Sequence, residues 1–244
     1  NSVGTGVITN GIYFVTDQAY GFSATQNFLL GVIMGLVYIV GALAAGPAIR
    51  ALATLFPGLS TRGCLAIVMI LCGLSCTLPP LVCGLGPVQP PDPGDPSSAP
   101  GGLWTVWLMV GAYSALSGAL WPMVDSYLSG GRSGPLLRRS ISNWNVVWAS
   151  ALILSYLAAG PVIATGPGLV FLVLGGLHIA SIALLFWFSP TPAEHVHESH
   201  EGCPPVYARL LVTFRMLLPM AYVVCSALGS LLPGLVKATG VPEK

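Results

Sequence analysis

Polar and aromatic side chains recur at helical spacing inside stretches of the chain that are otherwise apolar. Asn10, Tyr13 and Asp17 follow i, i+3, i+7 spacing, which places them on one face of a helix. A second stripe steps by four residues and consists of Tyr113, Ser117, Trp121 and Asp125. Aromatic rings stack on a small polar solute while hydroxyls and amides orient it, so these stripes indicate a cavity that binds such a solute.

Two further apolar stretches add residues of the same types. Asn145 and Trp148 lie in one, and Tyr222 lies in the other. The predicted substrate-binding residues are therefore Asn10, Tyr13, Tyr113, Ser117, Trp121, Asn145, Trp148 and Tyr222. Hydrogen bonding between packed helices, together with aromatic rings at a membrane surface, is the alternative interpretation of each residue taken alone. The concentration of polar groups in a few stretches favours binding.

Few titratable groups accompany the polar stripes. Asp125 ends its stretch a few residues before Arg132 and the loop that carries Arg138 and Arg139. A salt bridge to these arginines, or a cap on the next turn, is the preferred interpretation, and proton coupling through Asp125 is the alternative. His178 stands alone in an apolar stretch, where a hydrogen-bonded core histidine is a better interpretation than a proton relay. Asp17 is expected to be solvated.

Histidines and cysteines give no sign of a metal centre. A tract of polar residues contains His195, His197, His200 and then Cys203. Their spacing fits no ordered zinc motif, so a polar linker is the preferred interpretation, and neither a metal nor another cofactor is predicted. The six cysteines include no CxxC pair, which leaves packing as their predicted role. No catalytic spacing such as HExxH is present, and the chain is not predicted to be an enzyme.

The composition indicates what positions these side chains. Hydrophobic residues make up 54% of the 244 residues and charged residues 7%, whereas soluble domains carry roughly 25% charged residues. Water does not solvate a surface with so few charges, but a lipid bilayer does. The net charge of +1 gives no indication of a nucleic-acid partner. We therefore predict an all-α polytopic protein that is integral to a membrane, the plasma or inner membrane.

The apolar stretches predict about seven membrane spans, since each span requires about 20 apolar residues. Spans 1 to 7 cover residues 1–16, 25–49, 64–85, 103–128, 141–164, 168–188 and 210–236. Every second gap carries arginine, and these residues are Arg50 and Arg62, then Arg132, Arg138 and Arg139, then Arg209. Cytoplasmic loops are enriched in Lys and Arg, so these gaps, and with them the N-terminus, are assigned to the cytoplasm.

Four local patterns accompany this topology: residues 46–50 with 62–63, WPMVDSY at 121–127, NWNVVW at 143–148, and Gly160-Pro161. With six spans, a polar link and a seventh span, the chain resembles the first half of a major facilitator superfamily transporter plus the first helix of its second half. The resemblance implies a six-helix bundle over 1–188, a cytoplasmic inter-bundle linker over 189–208 and the start of a truncated second bundle over 209–244.

The resemblance also implies a function. Members of the family move a small solute by alternating access, with spans 1, 4 and 7 lining the cavity. The chain opens at Asn1 inside an apolar run, so we expect a fragment whose missing C-terminal half supplies the rest of the cavity. A seven-helix receptor or photoreceptor is the alternative, with Lys237 as a retinal lysine. Such receptors place the N-terminus outside, which disagrees with the arginine pattern.

Overall fold

Nearly all of the described chain is helical. The computed structural model describes residues 2–85, 102–196 and 205–240, and these ranges contain helices and turns but no β-strand. In chain order the helices are α1 (Ser2–Gly6), α2 (Ile12–Tyr20), α3 (Ala24–Leu55), α4 (Thr61–Cys83), α5 (Trp104–Ser129), α6 (Gly134–Thr165), α7 (Pro167–Ala180) and α8 (Pro205–Thr239). A π-helical turn, Val7–Gly11, joins α1 to α2, and a 3₁₀ helix, Ser181–Trp187, extends α7.

Five helical segments of the described chain are long and apolar enough to cross a membrane. They are α3, α4, α5, α6 and the run Gly168–Trp187. A bilayer core is crossed by about 20 helical residues, and each of these segments reaches that length. The prediction of an all-α integral membrane protein is confirmed to this extent. Spans 1 and 7 stay predictions, because the first is divided among α1, the π turn and α2, and α8 is not among the five.

Two helices extend beyond the predicted spans at the end of the bundle that carries the arginines, hereafter the arginine end. α3 continues to Leu55, and α6 begins at Gly134. Pro135 lies in the first turn of α6, where its fixed φ and missing N–H suit a helix N-terminus. Arg138 and Arg139 were predicted in a loop, and the structure corrects this by placing both on α6.

The most extensive helix contact joins α3 to α5 and is hereafter the α3–α5 seam. A Cβ atom added at Gly41 of α3 would overlap the Ala115 carbonyl of α5. A Cβ atom added at Gly118 of α5 would likewise overlap the Tyr38 carbonyl of α3. Glycine at both positions permits the two backbones to touch, as small residues do between membrane helices. α4 packs against both α5 and α7, which completes this part of the bundle.

The chain after the 3₁₀ helix folds back across the arginine end. The backbone N–H of Arg62 donates to the Pro190 carbonyl at 3.0 Å, and its guanidinium donates to the Phe188 carbonyl at 2.9 Å. The Tyr127 hydroxyl donates to the Ser189 carbonyl at 3.1 Å. These bonds fix the first residues of the predicted linker against α4 and α5.

Candidate functional site

The first span, residues 2–20, is helical throughout but changes its helix type midway. α1 gives way to the π turn Val7–Gly11 before α2 begins at Ile12. Gly6 and Gly11 lie next to and within this turn, and glycine lowers the stability of a regular helix. π turns inside helices occur frequently at functional sites. The sequence predicted a span over residues 1–16, and the helical stretch continues to Tyr20.

α1, the first half of this span, packs against α6 and α7 through glycine. A Cβ atom added at Gly4 would lie 2.8 Å from His178 Nε2, and one added at Gly6 would lie 3.0 Å from Ser155 Oγ. The Ser155 hydroxyl donates to the Val3 carbonyl at 3.0 Å. A larger side chain at either glycine would therefore push α1 away from its neighbours.

A buried polar cluster lies beside this contact and consists of Thr5, Tyr113 and His178, hereafter the His178 cluster. The Tyr113 hydroxyl is 2.8 Å from His178 Nε2 and 3.4 Å from Thr5 Oγ1. The Tyr113 and His178 rings meet edge to face with centroids 5.3 Å apart. Within the described residues, His178 Nδ1 is buried without a hydrogen-bond partner. The prediction of a fully hydrogen-bonded core histidine is therefore wrong for one ring nitrogen.

α2, the second half, packs mainly against α3 and α8, and Tyr20 at its end also meets Phe171 of α7 with ring centroids 6.2 Å apart. The Thr16 hydroxyl donates to Asn27 Oδ1 at 2.6 Å, and Asn27 Nδ2 donates to the Tyr13 carbonyl at 3.2 Å. All three side chains are buried. Each bond joins a group of α2 to a side chain of α3, so the amide of Asn27 holds the two helices together.

The Tyr13 hydroxyl is the second buried polar atom without a partner in the described chain. A Cβ atom added at Gly31 of α3 would lie 2.8 Å from this oxygen. On the side of α8, a Cβ atom added at Gly229 would lie 3.4 Å from the Tyr13 ring. The phenol thus occupies a slot between two glycines. Burying a hydroxyl without a hydrogen bond costs about 1–3 kcal/mol.

An ion pair joins the far end of α2 to α8. Lys237 Nζ lies 2.7 Å from Asp17 Oδ2 and 2.9 Å from Oδ1. The Asp17 side chain is 14% exposed, so the prediction of a solvated aspartate is wrong. The two residues are 220 positions apart, a separation at which no local sequence pattern reports a contact.

The other predicted binding residues lie apart from these contacts or outside the description. Ser117 is buried on α5, whereas Trp121 meets Trp144 edge to face with centroids 5.6 Å apart. Asn145 is exposed and Trp148 is half-buried on α6. The side chains of Asn10 and Tyr222 lie outside the described part of the structure. Of the predicted residues with described side chains, Tyr13 belongs to the first span and Tyr113 contacts it.

The charged residues predicted for coupling lie at the surface. Asp125 is exposed and forms no ion pair with Arg138 or Arg139. Both arginines lie on α6, because this helix begins before the predicted span. Arg132 instead donates to the Tyr127 carbonyl at 3.0 Å, near the end of α5. Among the described residues the predicted salt bridge is therefore absent.

A surface groove lies away from the first span. A shallow apolar groove of 520 Å³ at the turn between α3 and α4 is lined by Leu52, Phe56, Leu59 and their neighbours, and it contains none of the polar groups above. No group of three His, Cys, Asp or Glu residues in the described ranges is arranged to hold a metal ion. His197, His200 and Cys203 lie outside those ranges.

Three residues of the site escaped prediction or were assigned another role. Thr5 and Asn27 are polar residues inside apolar stretches, which was the available signal, but neither belongs to a stripe of several polar residues. His178 was assigned to the core because its sequence neighbours are apolar. Its partners Tyr113 and Thr5 come from different helices, so only the packing of α1, α5 and α7 brings them together.

No protein-family model matches this chain, and no curated protein or solved structure matches it either.

Proposed function

We propose that the chain works as part of a secondary transporter that moves a small polar solute by alternating access. The observation that carries the proposal is the division of the first span. Its first half packs on α6 and α7, and its second half packs on α3 and α8. π turns within helices occur frequently at functional sites, and secondary transporters bind their solutes near the membrane midplane, where helices are irregular. A span divided in this way permits one half to move while the other stays in place.

The Tyr13 hydroxyl is the proposed contact with the solute. It is fully buried, and the described residues leave it without a partner. Buried polar atoms are almost always hydrogen-bonded, so an unpaired hydroxyl calls for an explanation. In a transporter the solute provides the missing partner when the slot between Gly31 and Gly229 opens.

The proposed orientation follows the arginines. Arg50, Arg62 and Arg132 lie at one end of the bundle, and positive residues mark the cytoplasmic side. The Asp17–Lys237 pair lies at the opposite end, where it holds α2 to α8. In this orientation the pair closes the outer side of the path, and the N-terminus is cytoplasmic. We place the protein in the plasma or inner membrane.

Membership of the major facilitator superfamily remains part of the proposal. Only 6% of the residues in the most apolar stretch of α6 are buried within this chain, and this exposure supports a second bundle that packs on α6. Asn143 and Asn145 are exposed on it, although exposed amides are costly at membrane depth. A C-terminal half that packs on α6 would cover these groups and complete the cavity.

Solute counterflow tests the proposal. The protein is reconstituted in liposomes and offered neutral, anionic and cationic radiolabelled solutes in turn, both alone and in its full-length form. We expect labelled solute of one class to accumulate in liposomes that were loaded beforehand with the same solute in unlabelled form. Tyr13→Phe should raise the concentration of that solute at which transport is half-maximal. It should not lower the thermal stability of the protein, because the hydroxyl has no partner to lose. Tyr20→Phe, at the other end of α2, is the matched control.

Three results would count against the proposal. Absence of counterflow by a folded full-length protein would contradict transport. A solute that changes the conformation without crossing the membrane would favour the seven-helix receptor instead. Equal transport by the Tyr13→Phe and Tyr20→Phe variants would remove Tyr13 from the binding site.

A further inference from the structure

We infer that residues 188–194, hereafter the strap, form a clamp at the arginine end that closes and releases as one unit. The strap follows the 3₁₀ helix and crosses from the first turn of α4 to the turn between α5 and α6. The inference goes beyond transport, and its test requires no transported solute. It rests on the bonds that hold the strap and on how little of the strap is buried.

The strap provides acceptors for backbone donors at the ends of two helices. α4 begins at Thr61, and the first N–H groups of a helix have no acceptor within it. The Arg62 N–H is one of these groups, and it donates to the Pro190 carbonyl at 3.0 Å. Just beyond the end of α5, the Gly131 N–H donates to the Glu194 carbonyl at 2.9 Å. A closed strap therefore satisfies backbone donors on both sides of the arginine end.

Side chains of the bundle complete the clamp between these two points. The Arg62 guanidinium donates to the Phe188 carbonyl at 2.9 Å. The Tyr127 hydroxyl lies 3.1 Å from the Ser189 carbonyl and 3.2 Å from the Pro190 carbonyl, so one hydroxyl serves both. The Phe188 and Tyr127 rings meet with centroids 5.1 Å apart. All of these acceptors are main-chain carbonyls, so the path of the strap backbone, and not its polar side chains, determines the bonds.

Burial contributes little to holding the strap in place. Pro192 is half-buried, and the other residues of 188–194 are exposed. A segment that buries little apolar surface and whose backbone bonds face solvent opens at a low free-energy cost, because water replaces each bond. Pro190 and Pro192 restrict the residues before them to extended conformations, so the strap keeps its shape when released and its bonds form together. Release frees the start of α4 from the turn before α6.

Amide hydrogen exchange, read by NMR in nanodiscs, tests the inference. The reporters are the N–H groups of Arg62 and Gly131, since the strap provides the acceptor of each. We expect similar protection from exchange at both, and less protection than in the middle of α4. Tyr127→Phe should speed exchange at Arg62 about three- to tenfold, because the hydroxyl bond is lost while the contact with the Phe188 ring remains. Tyr156→Phe, at an exposed position of α6, is the matched control.

A second variant tests whether the two ends of the strap release together. Arg62→Gln removes the guanidinium bond to the Phe188 carbonyl on the α4 side. We expect exchange at Gly131, on the α5 side, to rise by a similar three- to tenfold factor, about what the loss of one hydrogen bond gives. Arg50→Gln, at an exposed arginine of the same end, is the control.

Each outcome bears on one part of the inference. Exchange at Gly131 that Arg62→Gln leaves unchanged, or at Arg62 that Tyr127→Phe leaves unchanged, would overturn release as one unit. Protection at both reporters as strong as in the middle of α4 would overturn release itself, and no protection at either would overturn the clamp. Circular dichroism of each variant checks that the bundle is intact. A failed counterflow experiment would leave the exchange rates standing, so the two proposals fall separately.

Discussion

The α3–α5 seam and the first span are built in opposite ways. At the seam, Gly41 and Gly118 place backbone against backbone, which leaves no room for movement. The first span contains a π turn and is held by polar side chains, among them Asn27 and His178. Close packing fixes one arrangement, whereas a hydrogen bond can change partner at low cost when another acceptor is near. The frame of this bundle and its proposed moving part therefore differ in their chemistry.

The largest effect is expected at the seam. Gly41→Ala adds a methyl group where the Ala115 carbonyl already lies, so α3 must shift. Overpacking of this kind costs about 1–3 kcal/mol. Unfolding in mixed micelles measures the loss. Gly35→Ala on the same helix is the control, since nothing lies within 4 Å of its added Cβ atom. Equal stability of the two variants would contradict the view that close packing at the seam is more rigid than the first span.

A smaller loss is expected in the second half of the first span. Asn27→Ala removes the bonds to the Thr16 hydroxyl and to the Tyr13 carbonyl, and with them the amide that joins α2 to α3. We expect about 1–2 kcal/mol of destabilisation in the same micelle assay. Gln18→Ala, at an exposed position of α2, should change stability little. A loss as large as that of Gly41→Ala would mean that this contact is as rigid as the seam.

The Asp17–Lys237 pair should contribute less again. Lys237 is 53% exposed, so solvent and salt screen the attraction. A double-mutant cycle with Asp17→Asn and Lys237→Gln should give a coupling of about 0.5–1 kcal/mol that falls as salt is raised. A coupling of zero at low salt would show that α2 and α8 are not joined by charge.

The smallest effect is expected at Asp125. This residue is exposed and belongs to neither contact. Asp125→Asn should change stability by no more than about 0.5 kcal/mol, as is usual for surface substitutions. It should also leave the pH dependence of counterflow unchanged. An altered pH profile would restore the coupling role that the sequence left open.

The frame was largely predictable from sequence, and the site was not. Length and hydropathy identify α3, α4, α5 and α6, because a bilayer demands long apolar helices. The π turn at Val7–Gly11 was missed, since the spacing of the polar residues alone predicts a single continuous helix face. Contacts such as Tyr113 with His178 depend on how distant helices pack, and no local pattern encodes that packing. Tyr13 was predicted from its helical spacing with Asn10 and Asp17, and its role in binding stays a prediction.

Distance measurements by pulsed electron resonance test the central proposal, that the halves of the first span move separately. Genetically encoded spin labels at Ser2 and Leu177 report on α1 and α7, and labels at Gln18 and Leu177 report on α2 and α7. In liposomes we expect one distance for the first pair and two for the second, because α1 packs on α7 whereas α2 packs mainly on α3 and α8. A single distance for both pairs, or the same two-state change in both, would contradict the account.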